Sequence, residues 1–214
     1  MKKTELDYIV IEGPIGVGKT SLATRLAETF NTDLVLEQAF ENPFLPHFYN
    51  NPESSALPTQ LYFLFQRSKQ IEKIRQTDIF RPVHISDFII EKDRLFAEVT
   101  LSQDEYELYM QVYEKLSLDV PSPDLVIYLQ APVDTLLKRI SERGIDYERF
   151  IDEEYLKKIS DAYINFFYDY RTSPLLIVNT ADFNLVEDDD NYRLLIDYIN
   201  NLSPGRHYFN PVQL

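Results

Sequence analysis

The 214 residues include no cysteine, no tryptophan and only five glycines, and they contain no long apolar run. Without cysteine there is no disulfide, no thiolate metal site and no cysteine nucleophile. No stretch approaches the ~20 apolar residues that span a bilayer, so a membrane partner is not expected. Basic residues are scarce too: 21 Lys and Arg stand against 35 Asp and Glu, for a formal net charge of −14. Such a chain has no basic stripe to neutralise a nucleic-acid backbone, which excludes that class of partner. Residues 1–8 are too short and polar to act as a secretory signal, and the expected setting is the cytoplasm. The length suits one domain, residues 1–214, with the tail Ser203–Leu214 carrying no reading of its own.

Three of the five glycines fall in one short stretch, Gly13, Pro14, Ile15, Gly16, Val17, Gly18, Lys19 and Thr20. It follows the apolar run Tyr8–Ile11 and precedes a helix-forming segment that opens at Ser21. The stretch satisfies Gly-x-x-x-x-Gly-Lys-Ser/Thr in the context that gives the pattern meaning: strand, glycine turn, helix. Glycines let backbone N–H groups wrap a phosphate chain, and the helix N-terminus adds favourable partial charge. Lys19 is expected on the β- and γ-phosphates, and the Thr20 hydroxyl on Mg²⁺. Residues 13–21 are therefore read as an ATP site.

Strand-like runs occur at Tyr8–Ile11, Leu34–Leu36, Val83–Ser86, Leu125–Leu129 and Leu175–Val178. Helical periodicity marks Ser21–Phe30, Pro58–Gln76, Gln103–Ser117, Val133–Arg143, Glu153–Tyr170 and Tyr192–Asn201. The strands are continuously apolar, as in a parallel sheet covered on both faces. The expected fold is α/β: a P-loop NTPase fold with a five-stranded parallel sheet, helices on both faces and an Arg-containing lid. Glu37 and Asp87 each lie just beyond a strand end, where open α/β sheets gather their ligands. A carboxylate there can act on a hydroxyl nucleophile or help hold Mg²⁺.

These features, with their order along the chain, make the sequence resemble the deoxyribonucleoside kinases, in particular the bacterial deoxyadenosine/deoxyguanosine branch. The resemblance rests on the phosphate loop, Glu37 within Leu36–Phe44, Tyr49 eleven residues before Gln60, the segment Gln66–Gln70, the strand Pro123–Leu129, and Arg139 and Arg143 in a lid that runs to Glu148. It spans roughly residues 8–180. It implies transfer of the ATP γ-phosphoryl to a deoxynucleoside 5′-hydroxyl, with purine nucleosides preferred. On this reading Glu37 accepts or orients the hydroxyl proton, and Thr20 with Asp87 places Mg²⁺. Lys19, Arg139 and Arg143 supply positive charge, Tyr49 and Glu148 hold the sugar 3′-hydroxyl, and Gln60 reads the base edge. Phe88 or Phe63 stacks on the base or packs in the core. A homodimer is implied as well, since the resembled family dimerises through long helices, and Gln103–Ser117 and Glu153–Tyr170 are rich in aromatics.

Two departures stand out. Where the family carries an arginine after the strand-end acid, this chain has Asp87-Phe88-Ile89, leaving Lys92 or Arg94 to reach back. The lid has Ile145 at a position that often holds arginine. Fewer positioned cations mean weaker stabilisation of phosphoryl transfer. The alternatives are a thymidylate-type nucleotide kinase and a non-catalytic scaffold of the same fold. Residues 37–46 contain no Lys or Arg, which favours an uncharged acceptor over a monophosphate.

Overall fold

A computed structural model describes residues 6–75, 84–116, 121–181, 185 and 188–210. In chain order the strands are β1 (Tyr8–Glu12), β2 (Asp33–Val35), β3 (His84–Ser86), β4 (Leu125–Gln130), β5 (Leu175–Asn179) and β6 (Arg206–Phe209). The α-helices are α1 (Lys19–Phe30), α2 (Leu45–Asn50), α3 (Pro52–Arg75), α4 (Lys92–Thr100), α5 (Gln103–Lys115), α6 (Val133–Arg143), α7 (Glu153–Asp169) and α8 (Asp189–Asn200). The strands form one parallel sheet in the order β2-β3-β1-β4-β5-β6.

Burial on both faces explains the unbroken apolar strands. Ile9 and Ile11 of β1, with Ile127 and Leu129 of β4, pack against Leu22 and Leu26 of α1, Leu136 of α6 and Leu195 of α8. The alternate residues Tyr8, Val10, Val126 and Tyr128 face the opposite layer, where Leu95 of α4 and Tyr163 and Phe167 of α7 cover them. Successive strand side chains point to opposite faces, so only residues that are apolar throughout can fill both layers.

The sheet has six strands rather than the expected five, the extra one drawn from the C-terminal tail. β6 pairs with β5 in the register Leu175↔Arg206 to Val178↔Phe209. Arg206 fastens it by donating to Phe167 O at 2.6 Å and Tyr168 O at 2.8 Å, satisfying carbonyls at the end of α7 that have no helical partner. Phe209 closes the edge of the core. Two further elements, α2 and α4, were not expected as helices. Helix α3 starts six residues earlier than expected and carries Pro58 inside it, at the loss of one backbone hydrogen bond. Val83, Gln76, Ser117 and the last four residues of the tail lie outside the described residues.

Candidate functional site

The carboxyl ends of β1, β2 and β3 converge on one cleft, and the sequence explains how each delivers its side chain. After β1 the chain turns through Gly13, whose φ is +148°. A Cβ there would lie 2.5 Å from the Leu129 carbonyl oxygen, so only glycine lets the loop pass so close to β4. Gly18, at φ +102°, redirects the chain into α1. Lys19 folds back over the loop, donating to Gly13 O at 2.8 Å and Pro14 O at 3.1 Å. Burial lowers the pKa of its ammonium to about 8, and the charge of Lys92 adds to the shift, while Glu12, Glu37 and Asp87 oppose it.

Asp87, directly after β3, ties three segments together. Its Oδ2 accepts from Thr20 Oγ1 at 2.6 Å and its Oδ1 from the Glu37 backbone N–H at 2.6 Å. Burial and the neighbouring Glu37 raise its pKa. A hydroxyl and a carboxylate side by side at the loop, both hard oxygen donors, fit Mg²⁺ carried in on nucleotide phosphates. Among the described residues no group of three or more His, Cys, Asp or Glu could hold a metal by itself.

Glu37 is not a lone carboxylate. Its Oε1 accepts from Arg67 Nη2, and its Oε2 accepts from Lys92 Nζ at 2.7 Å. Burial works against its charge, but Arg67 and Lys92 outweigh it and hold the pKa far below the usual carboxylate range. Burial pulls the pKa of Lys92 down, but the charges of Glu12 and Glu37 outweigh it and raise the pKa. Arg67 also bonds Asp93 Oδ1 through its Nη1. Burial pushes the Asp93 carboxyl up to about 7, with Arg67 opposing. Of the two cations downstream of Asp87, Lys92 is the one that pairs with Glu37. Arg94, two residues further along α4, is exposed and lines a separate groove between α4 and α7.

Gln60, Phe63, Arg67 and Gln70 lie at spacings of three, four and three residues on one face of α3. Gln60 is buried and donates to Thr100 Oγ1 at 3.2 Å, while Gln70 donates to Leu36 O at 2.6 Å. The Arg67 guanidinium lies over the Phe63 ring, 4.9 Å from its centroid. Several polar atoms around this face are buried without a hydrogen-bond partner: Arg67 Nε, Asp93 Oδ2, Gln70 Oε1 and the Tyr109 hydroxyl.

At the other side of the cleft Tyr49 stacks on Tyr147, with 6.1 Å between centroids and 13° between planes, and meets Tyr155 edge-on. Arg143 makes a fork with Glu148, Nε to Oε2 at 3.0 Å and Nη2 to both oxygens at 2.7 Å. Arg139 is held by Thr180, Nη1 to Oγ1 at 3.0 Å and Nη2 to the backbone oxygen at 2.6 Å. Loop residues 16–22 with Arg139, Arg143, Thr180 and Leu185 enclose an open cleft of about 510 Å³.

Of the residues singled out in the sequence, Lys19, Thr20, Glu37 and Asp87 meet at one point. Tyr49, Glu148 and Arg143 gather beside it, and Gln60 lies on the wall formed by α3. Phe88 departs from this set. It is wholly buried among Leu64, Ile71, Ile90, Ala97 and Tyr109, which leaves no ring face for a base. Its place directly after a strand end is what suggested a ligand contact; the chain turns there and the ring drops into the core instead. Arg67 drew notice only as part of a resembling segment, and Asp93 and Glu12 drew none. The seven-residue step from Gln60 to Arg67 is the signal that marks Arg67, because it places both on one helical face.

On the expectation that the charged ammonium of Lys19 holds phosphate, kcat/KM for ATP should fall as pH rises through about 8. Removing the neighbouring like charge should move this alkaline limb upward, so Lys92→Met is expected to shift it to higher pH. Initial rates at subsaturating ATP across the alkaline range check this. An alkaline limb identical in Lys92→Met and the parent would contradict the coupling.

Comparison with known proteins gives a consistent result. The model of the deoxynucleoside kinase family matches residues 9–203. The deoxyguanosine kinase of Bacillus subtilis (strain 168) is 39% identical over 180 residues, covering 82% of this chain and 86% of that protein. The deoxyadenosine/deoxycytidine kinase of the same organism is 29% identical over 201 residues, covering 89% and 90%. The solved structure of deoxyadenosine kinase from M. mycoides with bound dATP superposes with a TM-score of 0.77 at 26% identity, covering 91% of this chain and all of that one.

Proposed function

From the premise that this chain belongs to the deoxynucleoside kinase family, we propose how its residues carry out phosphoryl transfer and which nucleosides it takes. The protein is an ATP-dependent phosphotransferase acting on deoxynucleosides. The proposed acceptors are purine deoxynucleosides, deoxyadenosine or deoxyguanosine.

The observation that carries the acceptor reading is the state of the cations beside Glu37. Arg67 is ion-paired with Glu37 and Asp93, and Lys92 with Glu37. A monophosphate acceptor would need such cations for its own charge, whereas a nucleoside hydroxyl needs only an oriented acceptor. Glu37 is that acceptor, aimed at the 5′-hydroxyl. With its basicity so depressed it works by orienting the hydroxyl and taking its proton late, which suits a loose transition state. Lys19 and the loop N–H groups hold the β- and γ-phosphates, and Arg139 and Arg143 spread charge over the transferred group. Thr20 and Asp87 would hold Mg²⁺, which neutralises phosphate charge when bound. Arg143 is paired with Glu148, so it becomes available as Glu148 turns to the sugar 3′-hydroxyl beside Tyr49.

Support for a purine comes from the deoxyguanosine and deoxyadenosine kinases among the relatives and from the α3 face. Beside Gln60, the buried atoms Arg67 Nε, Asp93 Oδ2 and Gln70 Oε1 have no hydrogen-bond partner, which suits a base rich in polar edge atoms. The test is competition among the four deoxynucleosides, adenosine and the deoxynucleoside monophosphates, with ATP and Mg²⁺ at subsaturating acceptor. Preferential phosphorylation of deoxyadenosine or deoxyguanosine is expected. Preference for thymidine or deoxycytidine would overturn the purine assignment, and phosphorylation of monophosphates alone would overturn the acceptor class.

The proposal also includes a homodimer in the cytoplasm. Leu108 on α5 and Ile164 and Tyr168 on α7 are exposed, more apolar surface than isolated helices present to water. Light scattering at micromolar concentration should give twice the chain mass of 25.2 kDa; a strict monomer would refute the dimer. Among the described residues no helix is long and apolar enough to cross a membrane.

A further inference from the structure

Glu12 ends β1 immediately before the phosphate loop, and its side chain is completely buried. Among the described residues it makes no ion pair. Instead three donors converge on it. Its Oε2 accepts from the Gly13 N–H at 2.9 Å and from the Tyr163 hydroxyl at 2.9 Å, and its Oε1 accepts from the Ile89 N–H at 3.0 Å. Burying a carboxylate without a contacting cation is costly, and hydrogen bonds, together with the nearby charges of Lys19 and Lys92, only partly offset it. Such a group persists where its two oxygens do something a neutral side chain cannot.

What they do is visible in the three partners. Gly13 opens the phosphate loop. Ile89 lies two residues beyond Asp87 and three before Lys92, on the loop that carries both. Tyr163 belongs to α7, where its ring stacks with Tyr128 and Phe167 in the core. One oxygen is thus bound to each of the two loops, and the stacked aromatic layer that holds Tyr163 sets the angle of the carboxylate between them. Resting on the kinase reading above, the geometry points to Glu12 as a positioning residue: it sets the spacing between the phosphate loop and the loop bearing Asp87 and Lys92. The Thr20–Asp87 contact at 2.6 Å spans that spacing.

A glutamine at position 12 has the same length but only one acceptor oxygen. Whichever way it turns, its amide N–H₂ confronts either Gly13 N–H or Ile89 N–H in a site without solvent access, and one loop must move. The binding of nucleoside on α3 is not part of this linkage. Glu12→Gln is therefore expected to lower kcat about 100-fold, as displacement of about 1 Å at a reacting centre does, and to weaken MgATP and raise the Mg²⁺ half-saturation about 10-fold. The nucleoside KM should stay within about twofold. Tyr163→Phe, which removes one donor and keeps the stacked ring, should shift the same quantities in the same direction by a smaller factor.

The experiment measures steady-state kinetics of both full-length variants with ATP, Mg²⁺ and the best nucleoside of the parent. Circular dichroism checks the fold, and calorimetric titration with MgATP in the absence of acceptor reads the loop spacing independently of turnover. A parent that binds MgATP but phosphorylates no nucleoside would sink the kinase reading, while the calorimetric comparison would still decide the role of Glu12. A folded Glu12→Gln with parental MgATP affinity overturns the proposal, as does a loss that falls equally on nucleoside KM. If Glu12→Gln does not fold, parental MgATP affinity and kcat in Tyr163→Phe overturn it.

Discussion

Replacing Lys19 with alanine is expected to lower kcat by about 10³-fold or more, the scale at which a cation on the transferred phosphoryl acts, while the protein remains folded. The side chain donates hydrogen bonds to the loop carbonyls of Gly13 and Pro14, at 2.8 and 3.1 Å. Its truncation removes two hydrogen bonds at the mouth of the cleft and no packing in either sheet layer. The melting temperature should therefore change little beside the loss of turnover. Burial already lowers the pKa of this ammonium to about 8, so the folded chain bears a cost for keeping a cation there until phosphate arrives. Kinetics at saturating ATP and a thermal melt of the same preparation check the prediction. Parental turnover in a folded Lys19→Ala would remove the phosphate loop from the mechanism.

The second large effect is expected from Glu37→Gln. Loss of general-base help typically costs 10²–10⁴ in rate. The structure sets the expectation near the lower end, about 10²-fold in kcat, because Arg67 and Lys92 have already reduced the basicity of Glu37. The nucleoside KM should rise much less, since glutamine can still meet the hydroxyl. A second consequence separates this site from an ordinary surface carboxylate. Glutamine leaves Lys92 without its ion-pair partner and Arg67 with Asp93 alone, both in buried positions. Breaking a buried pair in this way costs roughly 3–5 kcal/mol, so the variant should melt well below the parent. An unchanged melting temperature with unchanged kcat would place Glu37 outside both the charge cluster and the chemistry.

The parts that depend on local chain chemistry were legible in the sequence. Glycines at 13, 16 and 18 between an apolar run and a helix former allow little besides a phosphate-binding turn, and the structure has that strand, turn and helix in order. Continuous apolar runs demand burial on both faces, hence a parallel sheet with helices above and below. The charge balance and the missing cysteines bounded partners and chemistry without reference to any fold. Tertiary structure alone decided what depends on residues far apart in the chain. Whether Lys92 or Arg94 reached Glu37 turned on which face of α4 meets the sheet, and a spacing of two residues cannot settle that. Phe88 left the expected base site because the chain turns inward after β3. The tail became a strand because Arg206 finds the carbonyl ends of α7, thirty-eight and thirty-nine residues away. Glu12 gave no signal at all, since its three donors come from β1's own turn, the loop after β3 and α7. A single carboxylate shows its purpose only when folding removes its water and brings those donors to it.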